Sequence, residues 1–142
     1  MAMLRKILAP TDFSDLSAVG VRYACQLAKD VGAQILILNV VLVDESNTVD
    51  KQELERHKLR LDDFITKKIG SAGAQLRIRK LVDAGHPYGT IRECANNEHV
   101  DLIVMSSHGR SGLSRMLIGS VTDKTLRGAS CPVLVVPSEK QT

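Results

Sequence analysis

Residues 34–43, QILILNVVLV, constrain the fold more than any other stretch. The run is apolar and almost unbroken, with no alternation of wet and dry positions. A strand of that composition needs cover on both faces, the environment of a central strand in a parallel sheet. Helices must therefore pack above and below it, and the flanking sequence supplies them.

A short apolar segment, 4–9, ends at Pro10, whose ring removes a backbone donor. Ser14 suits the N-cap of a helix reaching about residue 31, in which Val21, Cys25 and Ala28 recur at helical spacing and Gly32 takes the C′ position. After the long strand, a helix is expected over 49–69, apolar along Leu54, Leu61 and Ile65, charged elsewhere, and closed by the Gly70-Ser71-Ala72-Gly73 stretch. Residues 76–82 interleave Leu76 and Ile78 with Arg77 and Arg79, the pattern of an edge strand with one solvated face. Pro87 opens a third helix to about residue 98, 102–105 is a fourth strand, 120–127 a fourth helix stopped by Gly128, and 133–136 a last strand bracketed by Pro132 and Pro137. Strand and helix alternate four times before the fifth strand. The expectation is an α/β fold: one doubly wound, five-stranded parallel sheet with helices on both faces and right-handed crossovers. No repeat, low-complexity tract or linker interrupts it, which implies a single domain over 1–142 with 138–142 as a free tail.

Aromatic residues make up 3% of the chain and Trp is absent, so the stacking platforms used on single-stranded nucleic acid are missing. A net charge of +3 is too small a surplus to argue for a nucleic-acid partner. Cys25, Cys94 and Cys131 form no CxxC and are expected to be buried, reduced thiols of a reducing compartment. No window approaches the roughly 18 consecutive apolar residues of a membrane span, and the N-terminus has no signal-peptide run, so a cytoplasmic location is expected.

Ligands of open parallel sheets bind at the carboxyl ends of the strands, where strand order reverses. Two such ends are polar here: Pro10, Thr11 and Asp12 after the first strand, and the long loop from Ser106 after the fourth. The segment 104–122 carries Gly109, Gly112 and Gly119 with serines, His108, Arg110 and Arg115. Glycine admits close backbone approach and arginine matches phosphate oxygens, so the segment is expected to bind phosphate. Gly119-Ser120 opens the last helix, whose N-terminal N–H groups favour an anion. Neither GxxxxGK[ST] nor a GxGxxG after the first strand occurs, which excludes the standard nucleotide signatures. The bland readings are a turn and cap at Pro10–Asp12, a structural His108, and His57, His86 and His99 scattered without metal-ligand spacing.

What stands instead is Ser106-x2-Gly109-x9-Gly119-Ser120. With KILAPTDFS at the start, ILNV in the second strand and SSHGRSGLSRMLIGSVTDKTLRGASCPVLVVP at the end, the chain resembles the universal stress protein family. Its ATP-binding members carry Gly-x2-Gly-x9-Gly-[Ser/Thr]. The resemblance implies strand order 3-2-1-4-5, an adenine nucleotide, ATP or a relative, as ligand, and a stress-response signalling or regulatory role. It also implies a homodimer formed through Val133–Val136. Pro10, Thr11 and Asp12 would border the nucleotide, with Asp12 near the ribose or a Mg²⁺ that binds only with nucleotide. The Val40 backbone would read adenine. Ser106, Ser107, His108, Gly109, Arg110, Ser111 and Gly112 would form the ribose and phosphate loop, and Gly119, Ser120, Val121 and Thr122 would hold the outer phosphates.

Ser106 replaces the first motif glycine. If that position needs a positive φ or has no room for a Cβ, ATP affinity falls. A same-fold dimeric scaffold that does not bind nucleotide is the alternative. Clamps for a phosphate are present but no convincing general base, so binding with at most slow ATP hydrolysis is expected rather than enzymatic turnover.

Overall fold

The computed structural model describes residues 4–108 and 118–137. Its elements are β1 (Lys6–Pro10), α1 (Asp15–Val31), β2 (Gln34–Leu42), α2 (Lys51–Phe64), β3 (Ile78–Gly85), α3 (Pro87–Asn97), β4 (Leu102–Ser106), α4 (Ser120–Gly128) and β5 (Val133–Val136). The five strands form one parallel sheet in the order β3-β2-β1-β4-β5. This is the expected doubly wound topology, and β1 and β4, whose helices lie on opposite faces, are neighbours at the reversal of strand order.

The alternation of side chains along each strand divides the core in two. Ile7, Ala9, Ile35, Ile37, Leu102 and Val104 point to one face, against Val21, Ala24, Cys25 and Ala28 of α1 and Leu61 and Phe64 of α2. Leu8, Leu36, Leu38, Ile103 and Met105 point to the other, against Ile91, Cys94 and Ala95 of α3. Odd residues of β2 thus face α1 and α2, a parity that decides where Asn39 points.

Local signals act as expected at α1. Ser14 caps it by accepting from the Ser17 N–H at 3.0 Å, and Gly32 ends it at φ 73°. Other boundaries shift. Pro10 is the last residue of β1, in register with Leu38, rather than the stop after it. α2 starts after its Asp50 cap and runs at Ile65–Ile69 into a π turn and then a 3₁₀ turn. β3 begins two residues later than expected and extends to Gly85.

Gly128 belongs to α4 instead of stopping it. Its missing side chain serves α3, because a Cβ there would lie 2.0 Å from the Tyr88 hydroxyl. Cys25 and Cys94 are buried free thiols, as expected, but Cys131 is only half-buried. The expected tail, 138–142, lies outside the described residues.

Candidate functional site

The carboxyl ends of β1, β2 and β4 open into a cleft of about 570 Å³. Its floor is the loop between β1 and α1. Thr11 continues the sheet, its N–H donating to the Leu38 carbonyl at 2.8 Å. The Thr11 hydroxyl bonds the Ser17 hydroxyl at 2.7 Å and accepts from the Phe13 N–H at 3.0 Å. Asp12 accepts from the N–H and the hydroxyl of Ser14 at 3.0 and 2.5 Å, so the turn that displays Asp12 is fixed by its own side chains. Phe13 holds φ 70°, an uncommon backbone state for a bulky residue.

The far wall is the start of α4. Its N-cap is Gly119, which has no side chain with which to satisfy the first-turn N–H groups. Two bonds orient that helix end: the Gly119 N–H donates to the Ser107 carbonyl at 2.6 Å, and the Thr122 hydroxyl donates to the Ser106 carbonyl at 2.9 Å. A cap without a side chain, the first-turn N–H groups and the helix dipole make this end attractive to an anion.

Ser106 is the buried last residue of β4, and its hydroxyl turns into α1. There the oxygen accepts from the Gly20 N–H at 2.8 Å and donates to the Ser17 carbonyl at 3.3 Å. Its φ is not positive. Neither condition under which a serine would be excluded here is met at Ser106 itself.

The near wall is α2. His57 Nδ1 lies 2.8 Å from Asn39 Oδ1, and Asn39 donates from its amide to the Thr11 carbonyl at 2.9 Å. The Arg56 guanidinium, 2.5 Å from Glu53, holds that carboxyl below the usual carboxylate range, with a smaller contribution from His57. Arg60 stacks over Phe13, its guanidinium carbon 4.5 Å from the ring centre.

The universal stress protein family pattern matches residues 3–137. The chain belongs to that family.

Among its relatives is the universal stress protein MJ0531 of Methanocaldococcus jannaschii, 32% identical over 98% of this chain and 85% of that one. The universal stress protein YxiE of Bacillus subtilis is 32% identical over 94% of this chain and 99% of its own. The solved structure of MJ0577, also from M. jannaschii, covers 99% of both chains at 30% identity with a TM-score of 0.77. A universal stress protein solved in complex with cAMP shares the fold at 24% identity and a TM-score of 0.75, over 96% of this chain and 98% of that one.

Of the residues marked in the sequence, Pro10, Thr11, Asp12, Val40, Ser106, His108, Gly119, Ser120, Val121 and Thr122 line the one cleft. Ser107 is not in that lining; its backbone ties β5 to α4, donating to the Val136 carbonyl at 2.8 Å and accepting from Gly119. Gly109, Arg110, Ser111 and Gly112 lie outside the described residues. The cleft is also lined by the α2 wall of Glu53, His57 and Arg60, together with Phe13 and Asn39, none of which a sequence motif marks. One signal was available: Asn39 is the polar interruption of the most apolar run in the chain.

Proposed function

We propose that this universal stress protein binds an adenine nucleotide, ATP in the first instance, and acts in the cytoplasm as a homodimeric stress-response regulator. The observation that carries the reading is the side-chain-free N-terminus of α4 facing a cleft at the β1/β4 switch point. Adenine would lie against the Val40 backbone and the phosphates against the residues from Gly109 to Gly112 and from Gly119 to Thr122. Solved proteins of the same fold were captured with cAMP and with dAMP.

Ser106 bears on the choice between binder and scaffold. Its hydroxyl is taken up by Gly20 and Ser17 of α1, so the departure from the family's glycine is accommodated within the α1–β4 contact, which favours the binder.

A Mg²⁺ would take Asp12 as its protein ligand and find the rest of its shell on phosphates and water. Among the described residues no three His, Cys, Asp or Glu side chains gather to hold a metal by themselves, so the ion would bind with nucleotide. Among the described residues β5 pairs with β4 alone, and its outer edge is the surface for the second copy.

Calorimetric titration of the full chain with ATP and Mg²⁺ tests the reading. Saturable binding is expected, retained within about threefold in Ser106→Gly, a change worth under 1 kcal/mol, and lost in Gly119→Val. Silence up to millimolar ATP would overturn it in favour of the scaffold. Phosphate release faster than about one per second, ordinary enzymatic turnover, would contradict the non-catalytic part.

A further inference from the structure

We infer that His57 and Asn39 are positioning residues of the cleft, tying α2 to the loop that presents Thr11 and Asp12 so that the seating of α2 sets ligand affinity. The inference rests on the nucleotide reading for its ligand and on the geometry alone for the tie.

The tie has a defined direction. Asn39 is 3% exposed and faces the α2 side of the sheet by strand parity. Its amide nitrogen donates to the Thr11 carbonyl at 2.9 Å, and a carbonyl can only accept, so the amide orientation is fixed. The amide oxygen is thereby left 2.8 Å from His57 Nδ1, which must carry a proton to bond it. The relay runs from His57 to Asn39 to Thr11. Losing the histidine donor would leave the buried Asn39 oxygen unpaired, the costly way to break a hydrogen bond.

A second link runs beside the first. Phe13, two residues from Thr11, keeps φ 70° with its ring 5.8 Å from that of His57, 5.9 Å from that of Phe64, and beneath Arg60. A strained backbone persists only where its surroundings over-determine it, and here the surroundings are α2. The loop bearing Asp12 is therefore gripped on both sides of the carboxylate by one helix.

The fully buried residues of that helix, Leu61 and Phe64, both come after His57; in the preceding turns Glu53, Leu54 and His57 are half-buried, with the His57 side chain 17% exposed. Glu53 Oε1 lies 3.3 Å from Nε2 on the outer side of the ring, an ion pair when both ring nitrogens carry protons. α2 thus reports on the loop, and the loop on α2.

The experiment joins amide hydrogen exchange to ATP titration on the full chain. His57→Leu keeps apolar contact with Phe13 but deletes the donor; His57→Asn places an amide N–H near the Nδ1 position; Lys58→Ala is the exposed control on α2. In His57→Leu the Thr11, Phe13 and Ser14 amides are expected to exchange at least about tenfold faster, and ATP affinity to fall about tenfold, as for one hydrogen bond of ordinary strength. His57→Asn should recover both to within about threefold, and Lys58→Ala should move neither. His57→Ala gives the same exchange readout should the leucine variant fold poorly.

Unchanged exchange at those amides, or equal losses in the leucine and asparagine variants, would overturn the inference. If the native chain binds no ATP, the nucleotide reading falls, and the exchange arm alone decides the tie.

Discussion

Ser106 and Gly20 form a fitted pair across 86 residues of sequence: the serine hydroxyl lies 2.8 Å from the Gly20 N–H, and a Cβ on residue 20 would come within 2.7 Å of both that oxygen and the Ser106 backbone nitrogen. Glycine in mid-helix costs up to about 1 kcal/mol relative to alanine. α1 bears that cost where β4 approaches it. The side chain that departs from the family's motif is thereby housed within the α1–β4 contact.

Gly20→Ala is accordingly expected to destabilise despite better helix propensity. Overpacking against backbone costs about 1–3 kcal/mol, which exceeds the propensity gain. Urea unfolding should show the loss, and it should shrink in the Ser106→Gly background, where only the backbone contact remains. A stabilised Gly20→Ala protein would contradict the fitted-pair account.

Gly128→Ala probes a second contact of the same kind, between α3 and α4. The new Cβ would meet the Tyr88 hydroxyl at 2.0 Å and its ring carbon at 3.0 Å. A tyrosine can swing away, so the expected cost is at the lower end of the overpacking range, about 1 kcal/mol. In the Tyr88→Ala background most of that cost should vanish, which appears as a coupling of about 1 kcal/mol in a double-mutant cycle of unfolding free energies.

How far the sequence disclosed these relations depends on their range. The β2 run, the Ser14 cap and the Gly32 stop are local signals, and each marks an element that the structure contains. That ligands sit at the carboxyl ends of parallel strands is a topological rule that needs only the order of elements, which is why Thr11, Asp12 and Gly119 could be marked in advance. The strand order that makes β1 and β4 neighbours comes instead from the family resemblance and not from the order of elements. Asn39 and His57 could not be joined, because their contact requires both the parity of β2 and the seating of α2. Neither is a pattern within a single segment. Gly128 illustrates the opposite error: a glycine near a helix end reads as a stop, yet the contact it serves is with another helix.

The thiols should separate cleanly in native labelling. Burial pushes the Cys25 and Cys94 thiols up to about 11, and Cys131, half-buried, is raised as well. The thiolate is the reactive species, so at pH 8 a disulfide reagent should modify Cys131 first, with Cys25 and Cys94 reacting only on unfolding. Peptide mapping after labelling with and without urea checks the order, and early modification of Cys25 would contradict the packing of α1 on the sheet.

Acid should weaken the protein partly through Glu98, which accepts from Arg79 at 2.6 Å across the edge of the fold. The Arg79 guanidinium holds the Glu98 carboxyl below its ordinary value, against a smaller opposing effect of desolvation, with Lys6 and His99 adding to the lowering. A carboxyl depressed in the folded state contributes stability that is fully present above its unfolded value, about 4.3, and disappears as pH falls through the lower folded value. The urea midpoint of Glu98→Gln should therefore lie below that of the native chain at pH 7, and the two should converge as pH falls through the lowered folded value, beyond which both side chains are uncharged. Because the pair is partly exposed, the gap at pH 7 should also narrow in high salt. A gap that persisted unchanged to pH 3 would assign the effect to lost packing rather than to the Arg79 charge.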